Sequence, residues 1–120
     1  MLAEFGGCEA ARLADLEHVR ASMLEAARVS GATIVTHSFH HFASQDGGAG
    51  VSGAVIIAES HLAIHTWPEH RFAALDFFTC GNGVDVRKAL DHLKGAFRAG
   101  TEDLLELERG PLRVGALESR

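Results

Sequence analysis

The sequence lacks most of what marks a chain for export, for a membrane or for nucleic acid. Its 120 residues hold two cysteines, Cys8 and Cys80, too few for a disulfide framework, so a reducing cytoplasm is the expected setting. No apolar run approaches the ~20 residues of a bilayer span, and Met1-Leu2-Ala3-Glu4 does not open a signal peptide, so no membrane is expected as partner. Basic clusters are missing as well. With a net charge of −5 and a pI near 5.9, nucleic acid is not an expected partner. Neither a linker nor an internal repeat interrupts the chain. What is present, 47% hydrophobic and 22% charged residues, is ordinary for a globular protein. A chain this long suits one domain over residues 1–120, able to bury roughly two-thirds of its unfolded surface.

The pattern along the chain alternates between strand and helix signals. Leu2 to Phe5 is a short apolar start broken by Gly6-Gly7. From Glu9 to Val29, Leu13, Leu16, Val19, Met23 and Ala27 recur at helical spacing, and Ser30-Gly31 closes the helix. Ala32 to Phe42 is β-branched and aromatic, a strand, and Ser44 to Gly50 is its hairpin loop. Val51 to Ala58 and Leu62 to Trp67 read as strands flanking a junction at Glu59-Ser60-His61. Phe72 to Thr79 is a further strand after Pro68. Asp85 is placed to cap a second helix that Gly100 ends, and Asp103 to Glu108 reads as a last strand. Short turns between neighbouring strands make them antiparallel. The expected fold is therefore α+β, a two-layer sandwich with helices on one face of an antiparallel sheet.

Reactive groups concentrate in residues 51–81, VSGAVIIAESHLAIHTWPEHRFAALDFFTCG. The pleat puts His61, Ala63, His65 and Trp67 on one face of their strand and Leu62, Ile64 and Thr66 on the other. For a single strand histidine the plain reading is a hydrogen-bonded, half-exposed side chain. Three chemical readings compete with it. One is acyl chemistry at Ser60 or Cys80, with His61 or His65 as base, although no Gly-x-Ser-x-Gly or protease cysteine signature is present. Another is a metal site from His37, His40 and His41 or from His61, His65 and Cys80, although neither His-Glu-x-x-His nor Cys-x-x-Cys occurs. The third is an attack by Ser60 on its own backbone, since a hydroxyl pressed against the preceding carbonyl in a strained turn can undergo an N→O acyl shift.

From about Leu2 to Arg109 the chain resembles the bacterial-type, pyruvoyl-dependent S-adenosylmethionine decarboxylase proenzymes. The resemblance is carried by VSG, ESHLAIHTWPE and AALDFFTCG within residues 51–81, with LAEF (2–5), SGATIVT (30–36) and ERG (108–110) in the same order. Two stretches depart from the family pattern. His70-Arg71-Phe72 stands where members commonly have Tyr-Gly-Tyr, and the loop from Ser44 to Gly50 is longer than in compact members.

The resemblance implies self-processing, in which Ser60 attacks the carbonyl of Glu59. The resulting ester is lost by β-elimination, giving a β chain of residues 1–59 and an α chain of 60–120 that begins with a pyruvoyl group. It gives His65 the role of assisting elimination, Ser52 that of a hydrogen-bonding partner in processing, and Cys80 that of the acid that reprotonates Cα. Phe42 and Trp67 match aromatics near the nucleoside, and Glu69 matches a carboxylate on the ribose hydroxyls. The implied substrate is S-adenosylmethionine, and decarboxylated S-adenosylmethionine, the aminopropyl donor for spermidine, is the implied product. The implied assembly is a homodimer with its sheets facing in a four-layer α-β-β-α arrangement. The chemistry suits the residues: a decarboxylation leaves a carbanion that needs an electron sink, and a pyruvoyl ketone is one. No lysine lies between Val51 and Gly81, so this block offers no anchor for pyridoxal phosphate, and no metal-ligating residues are expected in the site. Relatives with the same processing motif that act on ornithine or arginine supply the alternative substrate class.

Overall fold

The computed structural model describes residues 1–43, 49–79 and 83–107. Within them lie β1 (Leu2–Gly6), α1 (Ala10–Leu13), α2 (Leu16–Val29), β2 (Ile34–Ala43), β3 (Ala49–Ile57), β4 (Ser60–Trp67), β5 (Phe72–Thr79), α3 (Val86–Phe97) and β6 (Thr101–Leu105), with a 3₁₀ turn at Pro68–His70. The strands form one six-stranded sheet in the order β2-β3-β4-β5-β1-β6, antiparallel at every pairing. The α+β reading of the sequence holds. No helix among the described residues is long and apolar enough to cross a membrane.

Period-2 alternation decides which side of the sheet meets the helices. Val51, Val55 and Ile57 of β3, Leu62, Ile64 and Thr66 of β4, and Ala73, Leu75 and Phe77 of β5 are buried. They pack with Val19, Met23, Ala26 and Ala27 of α2 and Leu90, Leu93 and Phe97 of α3. The intervening residues form an open face, on which Ile56, Trp67 and Phe42 are 41%, 40% and 51% exposed. The near-continuous apolar run of Val51 to Ala58 therefore has one face in the core and one uncovered in the protomer.

Several boundaries differ from the sequence reading, each for a local reason. The first helix is two, because Asp15 is extended (φ −92°, ψ 103°) and its carboxylate caps α2 by accepting from the His18 N–H at 3.1 Å. Asp85 caps α3 in the same way, accepting from Lys88 N–H at 3.1 Å. That helix ends on Arg98, in the left-handed region at φ 54°, rather than at Gly100, whose N–H instead joins Gly6 O at 2.8 Å. The last strand lies at Thr101–Leu105, two residues early, because it pairs residue for residue with β1 from Gly6↔Thr101 to Leu2↔Leu105. Residues 44–48 of the long loop, and 108–110 of the ERG segment, lie outside the described residues.

One buried polar side chain links three elements. Thr66 is 4% exposed. Its Oγ1 accepts from the Val51 N–H at 2.9 Å and donates to the Leu13 carbonyl at 2.9 Å. It thereby anchors the start of β3 and the end of α1 to β4, one residue past His65.

Candidate active site

The open face carries two groups of reactive side chains at opposite ends of β4. At one end, the turn Ala58-Glu59 leads into Ser60, which pairs with Ile57 on β3 and Thr79 on β5. The turn is held from outside: Ala58 N–H donates to Thr33 O at 2.8 Å, and Thr33 N–H donates to Glu59 Oε1 at 3.1 Å. Ser60 has φ 141°, a region that residues other than glycine occupy at a cost of ~1–3 kcal/mol. In a regular strand, consecutive side chains point to opposite faces. Ser60 and His61 nevertheless bring their polar atoms close together. Their Oγ and Nδ1 atoms lie 3.5 Å apart, and His61 Nε2 lies 3.4 Å from Asp76 Oδ2. The ring of Phe78 packs edge-on against His61 at 5.6 Å.

At the other end, Ser52 and His65 face each other across β3 and β4, with Oγ and Nδ1 2.7 Å apart. Trp67 lies between His65 and Phe72, at ring distances of 6.3 and 5.5 Å. Phe42, on the neighbouring strand β2, packs on His40 at 4.3 Å. Gly50, opposite Phe42, is pressed so close to β4 that a Cβ would come 2.6 Å from the Thr66 carbonyl oxygen. Glu69 sits in the exposed 3₁₀ turn beyond Trp67. Arg71 adopts φ 54°, a left-handed conformation that suits the glycine the resemblance leads one to expect there. Its Nε donates to the Cys8 carbonyl at 2.7 Å, which ties it to the end of β1.

The sequence-expected residues thus fall into two groups. Ser52 with His65, and Trp67 with its aromatic neighbour, are brought together. Ser60 is not brought to them, because five residues of strand at ~3.3 Å each put it ~16 Å from His65. Cys80 lies outside the described residues; Thr79, just before it, pairs with Ser60. Of the metal readings, the one from His37, His40 and His41 does not gather its ligands, and the one from His61, His65 and Cys80 includes a residue outside those described. His37 and His41 pair with the core-facing Val55 and Val51, whereas His40 pairs with Ser52 on the open face. Among the described residues no three such side chains cluster. Asp76 escaped the sequence reading, although it is the one charged residue in FAALDFFT and shares the open-face parity of Ala74 and Phe78.

Residues 1–110 match the S-adenosylmethionine decarboxylase family. The chain is 52% identical over 110 residues to the S-adenosylmethionine decarboxylase proenzyme of Acidithiobacillus ferrooxidans, covering 92% of this chain and 80% of that one. Against the proenzyme of the same name from Thermotoga maritima it is 49% identical over 110 residues, covering 92% and 82%. The crystal structure of the adenosylmethionine decarboxylase from Aquifex aeolicus superposes with a TM-score of 0.75 at 28% identity, over 91% of this chain and 92% of that one.

Proposed function

The chain belongs to the S-adenosylmethionine decarboxylase family, and from that premise we propose that it removes the carboxyl group of S-adenosylmethionine with a pyruvoyl group made from its own Ser60. It is a carboxy-lyase of that family, and its relatives' names favour S-adenosylmethionine over ornithine or arginine. The observation that carries the self-processing reading is Ser60 itself: a serine at φ 141°, just past a pinned turn, with a histidine beside its hydroxyl. A pyruvoyl group at residue 60 would supply the ketone that serves as electron sink for decarboxylation. The strand start at Ser60, held by Ile57 and Thr79, would position it. Self-processing would give chains 1–59 and 60–120 of one domain.

The placement of Ser52 and His65 constrains the assembly. They cannot reach Ser60 of their own chain across ~16 Å of strand. Two sheets facing each other about a two-fold axis that crosses the strands would lay the Ser60 end of one copy over the Ser52–His65 end of the other, making two equal sites. This supports the four-layer homodimer, with His65 assisting elimination and Ser52 orienting it from the partner copy. Phe42 and Trp67 then supply aromatic faces for an adenine and a sulfonium cation, and Glu69 accepts from ribose hydroxyls. Cys80, one residue past the partner of Ser60, returns the proton to Cα. Arg71, held on the Cys8 carbonyl, is engaged in structure and gives the amino-acid alternative no specific support. The product would serve as aminopropyl donor in spermidine formation, in the cytoplasm.

Release of labelled CO₂ from carboxyl-labelled S-adenosylmethionine, ornithine and arginine, measured side by side, tests the substrate. Turnover of S-adenosylmethionine alone is expected. Release from ornithine or arginine with none from S-adenosylmethionine would overturn the reading.

A further inference from the structure

We propose that His61 is the base that starts self-processing, taking the Ser60 hydroxyl proton, and that Asp76 is the residue that positions it. This rests on the self-processing reading above and assigns a step that His65, at the far end of β4, cannot serve from the same chain. The geometry is specific. His61 Nδ1 lies 3.5 Å from Ser60 Oγ, and its Nε2 lies 3.4 Å from Asp76 Oδ2. A carboxylate only accepts, so in the neutral ring Nε2 carries the hydrogen and Nδ1 presents its lone pair to the serine. Both contacts are long, as catalytic contacts commonly are before the reacting geometry closes. The unusual backbone at Ser60 bears on the attack as well. The φ of 141° at Ser60 sets how its side chain stands relative to the preceding Glu59 carbonyl, the group its oxygen attacks.

The step balances within the chain. The Oγ–H proton passes to His61 Nδ1 as Oγ bonds to the Glu59 carbonyl carbon and that carbonyl's π pair moves to its oxygen. The tetrahedral centre then collapses, the C–N bond to residue 60 breaks, and the Nδ1 proton is returned to the departing nitrogen. The result is an ester of Glu59 on Ser60 with a free amine, and His61 is neutral again. His61 therefore acts before the ester exists, whereas the role given to His65 comes after it.

Hydroxylamine distinguishes the two stages, because it cuts an ester and leaves a peptide bond intact. Full-length chain made in a cell-free pulse is followed by denaturing mass spectrometry, with and without hydroxylamine. His61→Ala is expected to slow cleavage by ~10²-fold, the lower end for a general base, and its uncut chain should resist hydroxylamine. Added imidazole should restore part of the rate. Asp76→Asn should slow cleavage about tenfold, the worth of one hydrogen bond, but add nothing in the His61→Ala background. A purely structural role would slow both backgrounds. Melting of each variant in a Ser60→Ala chain checks the fold, and if His61→Ala does not fold, His61→Gln is read by the same criteria. Cleavage of His61→Ala at the wild-type rate, or accumulation of a hydroxylamine-sensitive chain, overturns the proposal. A wild-type chain that never cuts between 59 and 60 overturns self-processing itself, a separate result.

Discussion

Thr66→Val tests how the sheet holds its site. Valine keeps the shape of threonine but removes the hydroxyl that serves the Val51 N–H and the Leu13 carbonyl, each at 2.9 Å. Both Val51 and Leu13 are fully buried, so water cannot replace the lost partner. Leaving one buried backbone group unsatisfied costs ~1–3 kcal/mol. For two groups, with some relaxation, the loss is about 3 kcal/mol. At a urea slope of about 2 kcal/mol/M for a small protein, the unfolding midpoint falls by roughly 1.5 M. The measurement is urea unfolding in a Ser60→Ala background, where a single uncut chain unfolds, at one fixed protein concentration. Thr66→Ser is the control: it keeps the hydroxyl, deletes one methyl and should cost about 1 kcal/mol. If Thr66→Val loses no more than Thr66→Ser, the hydroxyl does not hold the three elements together and the account is wrong.

Wild-type protein should appear as two chains in denaturing mass spectrometry, cut between Glu59 and Ser60, with the C-terminal chain blocked to Edman degradation; Ser60→Ala should remain whole. His65→Ala should accumulate uncut chain that hydroxylamine cleaves at the 59–60 ester. Co-expressed with Ser60→Ala, it should be cleaved, because the partner supplies an intact Ser52–His65 pair; a mixture as uncut as His65→Ala alone would refute sharing of sites between copies. Cys80→Ala should still cleave but lose ~10²–10⁴-fold in turnover, the range for a general acid, and wild-type turnover would remove Cys80 from the site.

Strand parity was the most legible feature of the sequence. Alternation in SHLAIHTW and FAALDFFT alone puts His61, His65 and Trp67 on one side and Leu62, Ile64 and Thr66 on the other, as observed. Helix capping by Asp85 was equally plain. Less legible was the break at Asp15, because the apolar stripe runs through both helices while a capping carboxylate splits them. The backbone at Ser60 carries no local signal, since no glycine or asparagine marks a positive φ, and the nearness of its hydroxyl to His61 is visible only in three dimensions. Nor does a motif reveal that a serine and a histidine five residues apart on one strand are too distant to react together. That follows only from strand geometry.

Cleavage at residue 60 would break the chain inside a sheet, and the strand order explains why the product should hold together. Residues 1–59 contribute β1, β2 and β3, and residues 60 onward contribute β4, β5 and β6. In the sheet they interleave as β2-β3-β4-β5-β1-β6, so three ladders, β3–β4, β5–β1 and β1–β6, join one product to the other. The β1 strand lies between two strands of the other chain, and the amino group of Met1 donates to Phe77 O at 2.8 Å. The core crosses the break as well, with α2 of one product packed on α3 of the other. Opening the 59–60 bond would therefore release the strained backbone at Ser60 without freeing either piece. The two chains should co-elute under native conditions and part only in denaturant. Separation in plain buffer would mean that the interleaved ladders do not carry the cohesion assigned to them.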